Sequence, residues 1–92
     1  MELVIVEEGR RQLRPATRSV DKPLWNHVVA SNVRHFRRVK NISQESLAAE
    51  CGIFRTYLSR IETGKCNPSL LVLIALADAL GILPHALFVP IE

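Results

Sequence analysis

From Trp25 onward the apolar residues fall into a helical rhythm. Trp25, Val28, Val29, Val33, Phe36 and Val39 recur at steps of three and four, which puts them on one buried stripe of an α-helix. Asp21 or Lys22 ahead of Pro23 opens that helix, since proline suits a first turn, and Asn41 closes it. Ser43 is a favourable N-cap for a second helix with Leu47, Ala48 and Cys51 on its inner side, and Gly52 ends it. After a tight bend, a third helix spans about Phe54 to Thr63. At ~100° per residue, Phe54, Leu58 and Ile61 share its inner face, while Arg55, Thr56, Ser59, Arg60 and Thr63 lie outside. Gly64 and the loop Lys65 to Pro68 stop it. Ser69 then caps a fourth helix, Leu70 to Leu80, closed by Gly81, and Pro84 opens a short fifth one through Phe88. The pattern predicts an all-α fold of five short helices.

Residues 1–23 break the rhythm and contain Gly9 and Pro15. Glu2 to Glu7 fits a short strand, and Gly9 to Lys22 reads as a basic, mobile arm. The chain therefore divides into an N-terminal extension, residues 1–23, and one helical domain, residues 24–92. A composition of 48% hydrophobic and 23% charged residues suits an ordinary globular domain and excludes a disordered chain. The apolar run Leu70 to Ala77 is far short of the ~20 residues that span a bilayer. Met1 to Val6 lacks a basic start and Glu7-Glu8 cuts it short, so no secretory signal is expected and the cytoplasm is the expected compartment.

Charge changes the picture through its placement. Residues 24–66 carry seven basic against three acidic side chains, whereas residues 67–92 carry only Asp78 and Glu92. A basic middle beside an apolar, faintly acidic end suggests an anion-facing surface and a separate packing surface. Cys51 and Cys66 form no CxxC pair and have no ligand spacing with the three histidines. Free thiols, no metal and no cofactor are expected. His27, His35 and His85 are scattered, with no acid/base or nucleophile arrangement, so an enzyme is not expected.

Two short helices joined by a glycine-containing bend, the second with a polar outer face, have the form of a helix-turn-helix. In that motif the first helix braces the second, whose outer side can enter a major groove wide enough for one α-helix. Arginine can donate to guanine O6 and N7 together, and threonine offers a hydroxyl and a methyl. The run Ile42 to Ala48, the run Arg55 to Gly64 and the run Asn67 to Leu70, with Phe36-Arg37 before them, closely resemble the Xre or phage-repressor-like (Cro/CI-type) family. The resemblance covers about residues 28–88, and the Arg55 to Ser59 block is also similar to small controller proteins of restriction–modification systems.

That resemblance implies a sequence-specific, double-stranded DNA-binding regulator of transcription, usually a homodimer on a roughly palindromic operator. By motif position, Arg55, Thr56, Ser59 and Arg60 are expected to read bases. Gln44, Tyr57, Lys65, Asn67 and Arg38 are expected on the DNA backbone, with Arg34 and Lys40 adding phosphate attraction. Arg37 and Glu62 match a partly buried family ion pair. Phe54 stands where the family commonly has a capping serine or threonine; its ring is expected to pack inward, with a thymine methyl as the alternative. Leu71, Val72 and Ala75 sit where the family pattern is commonly polar. With Leu83, Leu87, Phe88 and Val89 they make more apolar surface than a monomer comfortably exposes. A dimer interface, or a lid from Leu3 to Val6, would cover it. Arg10, Arg11, Arg14 and Arg18 either follow an adjacent minor groove or belong to a solubilising tail. The rival functional reading is an antitoxin-type module that grips a toxin or another neighbouring gene product and uses its DNA-binding domain for autoregulation.

Overall fold

The computed structural model describes residues 24–91. Four α-helices follow one another: α1 (Trp25–Lys40), α2 (Gln44–Cys51), α3 (Arg55–Glu62) and α4 (Leu70–Leu80), with a 3-10 helix at Pro84–Phe88. No strand occurs among the described residues. The proposed strand at Glu2 to Glu7 and the basic arm lie outside them. The first helix starts later than the expected opening at Asp21 or Lys22 before Pro23, because Leu24 is extended at its N-cap with φ −81° and ψ 108° and the first helical residue is Trp25.

Local chemistry sets the boundaries. Asn41 takes the left-handed conformation with φ 59° and closes α1. The Ser43 hydroxyl accepts a hydrogen bond from the Ser46 N–H at 3.0 Å and starts α2, and Ser69 does the same for α4 through Val72 at 3.2 Å. Gly64 turns the chain after α3 at φ +72°, in a space where a β-carbon would lie 2.6 Å from the His27 ring. Only glycine satisfies both demands there. The Gly64 carbonyl also accepts from Asn26 Nδ2 at 2.6 Å, fastening this turn to the start of α1.

The helices enclose one core. Val33 from α1, Leu47 from α2, Leu58 and Ile61 from α3, Leu76 from α4 and Leu87 from the 3-10 helix are almost wholly buried. The α1 stripe is covered mainly over its middle. Val29 and Val33 are buried, whereas Val39 is 70% exposed near one end and Trp25, half-exposed at the other, rests against Phe88 with ring centroids 6.3 Å apart. A helix of 16 residues is longer than its partners, so its ends overhang them.

The expected fifth α-helix is instead a 3-10 helix of five residues. Pro84 supplies no donor, and the bonds Ala86 N–H to Leu83 O and Val89 N–H to Ala86 O span three residues. The carbonyls of Leu87 and Val89 are occupied from outside, accepting from Asn32 Nδ2 at 2.9 Å each. Asn32, buried within α1, thus ties the C-terminal segment to the first helix. Its polar side chain interrupts no pattern in the sequence, so periodicity gives no sign of this tie.

Candidate nucleic-acid interface

α2 and α3 meet through a bend of three residues in which Gly52 adopts φ +71° and Ile53 N–H bonds Ala48 O at 3.0 Å. Leu58 and Ile61 anchor α3 on the core, where it packs against α1 and α2. Its inner face carries one charge, Glu62, 3% exposed in its side chain beside an Arg37 side chain at 17%. Arg37 donates from Nε to Glu62 Oε2 at 2.7 Å and from Nη2 to Oε1 at 3.0 Å. Its remaining terminal nitrogen, Nη1, donates to Ile42 O at 3.0 Å, so the same guanidinium spans the α1–α2 connection. The hydrogen bonds to Glu62 raise the Arg37 pKa further, against the opposing pull of burial. The sign means that, on the arginine side, this contribution is fully present below the usual arginine range and is lost as pH rises through it.

From this buried pair a polar chain runs outward. Gln44 Nε2 donates to Glu62 Oε1 at 2.9 Å, and Gln44 Oε1 accepts from Arg55 Nη1 at 3.1 Å. Arg55 is therefore an exposed side chain tethered, through one glutamine, to a carboxylate in the core. Its contact with Glu45 at 3.7 Å is between two well-exposed groups and adds little. Thr56 is exposed beside it, Ser59 is half-buried, and Arg60 is exposed with Nη2 donating to Lys65 O at 3.2 Å. The outer side of α3 can thus offer guanidinium and hydroxyl donors from a helix whose position is fixed beneath them.

The family model described as helix-turn-helix matches residues 33–88. This chain belongs to the Xre-like helix-turn-helix family. A hypothetical transcription factor of Neisseria meningitidis serogroup B is 43% identical over 63 residues, covering 68% of this chain and 59% of that protein. The control protein C.SmaI of Serratia marcescens is 45% identical over 54 residues, 59% of this chain and 64% of its own length. Among solved structures, the restriction–modification controller protein C.AhdI of Aeromonas hydrophila superposes with a TM-score of 0.66 at 38% identity, over 68% of this chain and 96% of that one. These relatives carry the names of regulators, not of enzymes. The chain spans less than two thirds of the first two, so their whole activity is not transferred with the family.

Within this helix-turn-helix frame the remaining candidates are spread unevenly. Arg38, Lys65 and Asn67 are exposed around the motif, while Tyr57 is half-buried against the core. Arg34, expected as a phosphate-attracting surface charge, is half-buried and donates to the Glu62 carbonyl and to Ser31 Oγ, fixing the end of α3 instead. Lys40 donates to Ala79 O at 2.7 Å and so serves the C-terminus of α4. Phe54, expected to pack inward, is 82% exposed. As the N-cap residue it precedes the first turn of α3 with φ −73° and ψ 146°, and this extended backbone carries its ring away from the inner line of Leu58 and Ile61.

The apolar candidates divide as well. Leu71 is 79% and Leu83 67% exposed, and Val89 is exposed too. Leu87 is a core residue, because the 3-10 turn directs it inward, and Val72 is half-buried against that core. Neither Leu87 nor the inner part of Val72 is free to meet another chain. Cys51 and Cys66 are free and half-buried; burial first, then Glu50 and Asp78, pushes the Cys51 thiol up, which keeps it protonated. Among the described residues no group of side chains could hold a metal ion, and no helix is long and apolar enough to cross a membrane.

Proposed function

We propose that this chain is a sequence-specific, double-stranded DNA-binding regulator of transcription that acts as a homodimer on a roughly palindromic operator. The observation that carries the reading is the tether of Arg55, through Gln44, to the buried Arg37–Glu62 pair. A long, flexible cation loses side-chain entropy when it binds, and a side chain already held loses less. Arg55, Thr56 and Arg60 then read base edges, with Ser59 at the margin, as α3 lies in the major groove. Gln44 keeps the tether on binding: one amide hydrogen stays on Glu62 and the second donates to a phosphate at the N-terminus of α2, where the helix dipole favours an anion. Around this line Lys65 and Arg38 supply salt-dependent attraction to the backbone, while Tyr57 and Asn67 hydrogen-bond to it.

The names of the relatives, a transcription factor and restriction–modification control proteins, support a regulatory role. The exposed leucines of α4 and of the segment after it support pairing of two copies, which would place two α3 helices in successive major grooves ~34 Å apart. Such a protein works in the compartment that holds DNA.

Selection of bound sites from random duplex DNA tests the proposal, repeated with an Arg55→Ala, Thr56→Ala protein. An inverted-repeat consensus is expected, blurred at defined positions in the variant. Arg55→Ala alone is expected to cost about 1–3 kcal/mol on the selected site and much less on random duplex. Equal weakening on both would remove Arg55 from the base-reading set. A folded protein that enriches no site at low salt would overturn the reading as a whole.

A further inference from the structure

Phe54 has no role within the protomer that explains its identity. It is the most exposed of the large apolar side chains among the described residues. It also occupies the N-cap of α3, where its side chain makes no capping bond. Serine, threonine, asparagine or aspartate there would satisfy a free N–H of the first turn, and all of them are happier in water. A phenylalanine at this point forfeits the cap and leaves an aromatic ring in solvent. The exposed leucines Leu70, Leu71 and Leu83 belong to α4 and the segment after it, whereas Phe54 adjoins Arg55 and Thr56 on the helix that packs against α1 and α2. Phe54 therefore stands at the end of α3 that carries Arg55 and Thr56.

Given the reading that α3 enters the major groove, we infer that the Phe54 ring contacts the C5-methyl group of a pyrimidine next to the base pair read by Arg55. That methyl is the one apolar feature the major groove displays, and aromatic or aliphatic side chains recognise it. The contact removes ring and methyl from water together, which is the burial that the free protomer lacks. Arg55 supplies hydrogen-bond specificity for a guanine, and Phe54 supplies shape and apolar specificity one step away. Thymine and 5-methylcytosine both present this group, so the chemistry shared by the two is the ligand. Phe54 is thereby a specificity-determining residue, distinct from the donors around it.

Single thymines of the selected site, each replaced by deoxyuridine, provide the test, because the exchange deletes only the methyl. Binding is measured for the full chain and for Phe54→Ala, whose exposed position leaves folding intact. One thymine per half-site is expected to show about a fourfold loss per methyl with the unaltered protein and none with Phe54→Ala. At that position 5-methylcytosine is expected to bind more tightly than cytosine, and comparison with thymine identifies the preferred source. A site without such a thymine, or an equal uracil penalty in Phe54→Ala, overturns the contact while the major-groove reading stands. Failure to select any site removes that reading first, so the two failures are told apart.

Discussion

The outer sides of α3 and α4 both face solvent, yet they are built on opposite plans. On α3 the exposed groups are donors, and the foremost of them, Arg55, is connected by hydrogen bonds through Gln44 to a carboxylate in the core. On α4 the large exposed groups, apart from Asp78 near its end, are Leu70, Leu71 and Ile74, which gain only by leaving water, and Leu71 is 79% exposed. A directional surface of this kind can distinguish one sequence of donors and acceptors from another. The apolar one cannot, but it rewards any complementary apolar surface in proportion to area. A buried Glu62 lies beneath the donors, and a buried Asn32 holds the segment that follows α4 and continues its apolar surface. The comparison predicts that damage to one foundation stays on its own side of the molecule.

The largest effect is expected at Glu62. Glu62→Ala leaves the Arg37 guanidinium without two of its acceptors and Gln44 without its own. Loss of one partner of a buried pair should cost about 3 kcal/mol, toward the low end because Arg37 keeps 17% of its side-chain exposure. Urea unfolding followed by far-ultraviolet circular dichroism measures this. A loss below ~1 kcal/mol would show a surface-like pair and would break the idea of a foundation. Arg55→Ala, by contrast, removes only the outer end of the chain and should leave stability within ~0.5 kcal/mol.

On the apolar side, Leu71→Ala is expected to weaken self-association by about 2 kcal/mol, ~30-fold in the dimer constant, for two copies each contributing a roughly half-buried side chain. Sedimentation equilibrium reads the constant directly, and the order of preferred bases in the selected site should stay as it was. An unchanged constant would move the interface elsewhere. Asn32→Leu should follow closely, at about 1–2 kcal/mol of stability, because the Leu87 and Val89 carbonyls lose their shared donor. Hydrogen exchange would rise first in the segment after α4, with α3 protected to nearly the original degree. Equal loss of protection in both places would mean that the two foundations are one.

How far these surfaces were legible in the sequence follows from the range of the forces involved. Caps and helix ends are local, and Ser43, Gly52, Ser69 and Gly81 mark them as the periodicity suggested. The Arg37–Glu62 pair, known only through a family resemblance, joins residues 25 apart, and it is present at 2.7 Å. Asn32 is not legible in the sequence, because its long-range acceptors are backbone carbonyls 55 and 57 residues away, which no side-chain pattern encodes. The pattern puts Leu87 outside and Phe54 inside for one shared reason. Helical periodicity assigns faces only within a regular α-helix, and these two lie in a 3-10 turn and at an N-cap, where the backbone turns the side chain differently.

The smallest expected effect discriminates most finely between stability and recognition. Phe54→Ser restores a capping hydroxyl at the start of α3, where the present side chain makes no bond to the first-turn N–H groups. Since a serine N-cap is worth about 1 kcal/mol over an apolar one, and an 82% exposed ring contributes little burial to the protomer, the variant should be more stable by roughly 0.5–1 kcal/mol. Thermal unfolding should show a midpoint raised by a few degrees, about 4–8 °C for each kcal/mol in a domain of this size. The same protein should bind the selected site less tightly and lose its penalty for uracil. A gain in stability together with a loss in discrimination would place Phe54 among residues kept for their partner at the expense of the fold. A loss of stability would mean that the ring packs in solution after all, and α3 would then owe part of its anchorage to its outermost residue.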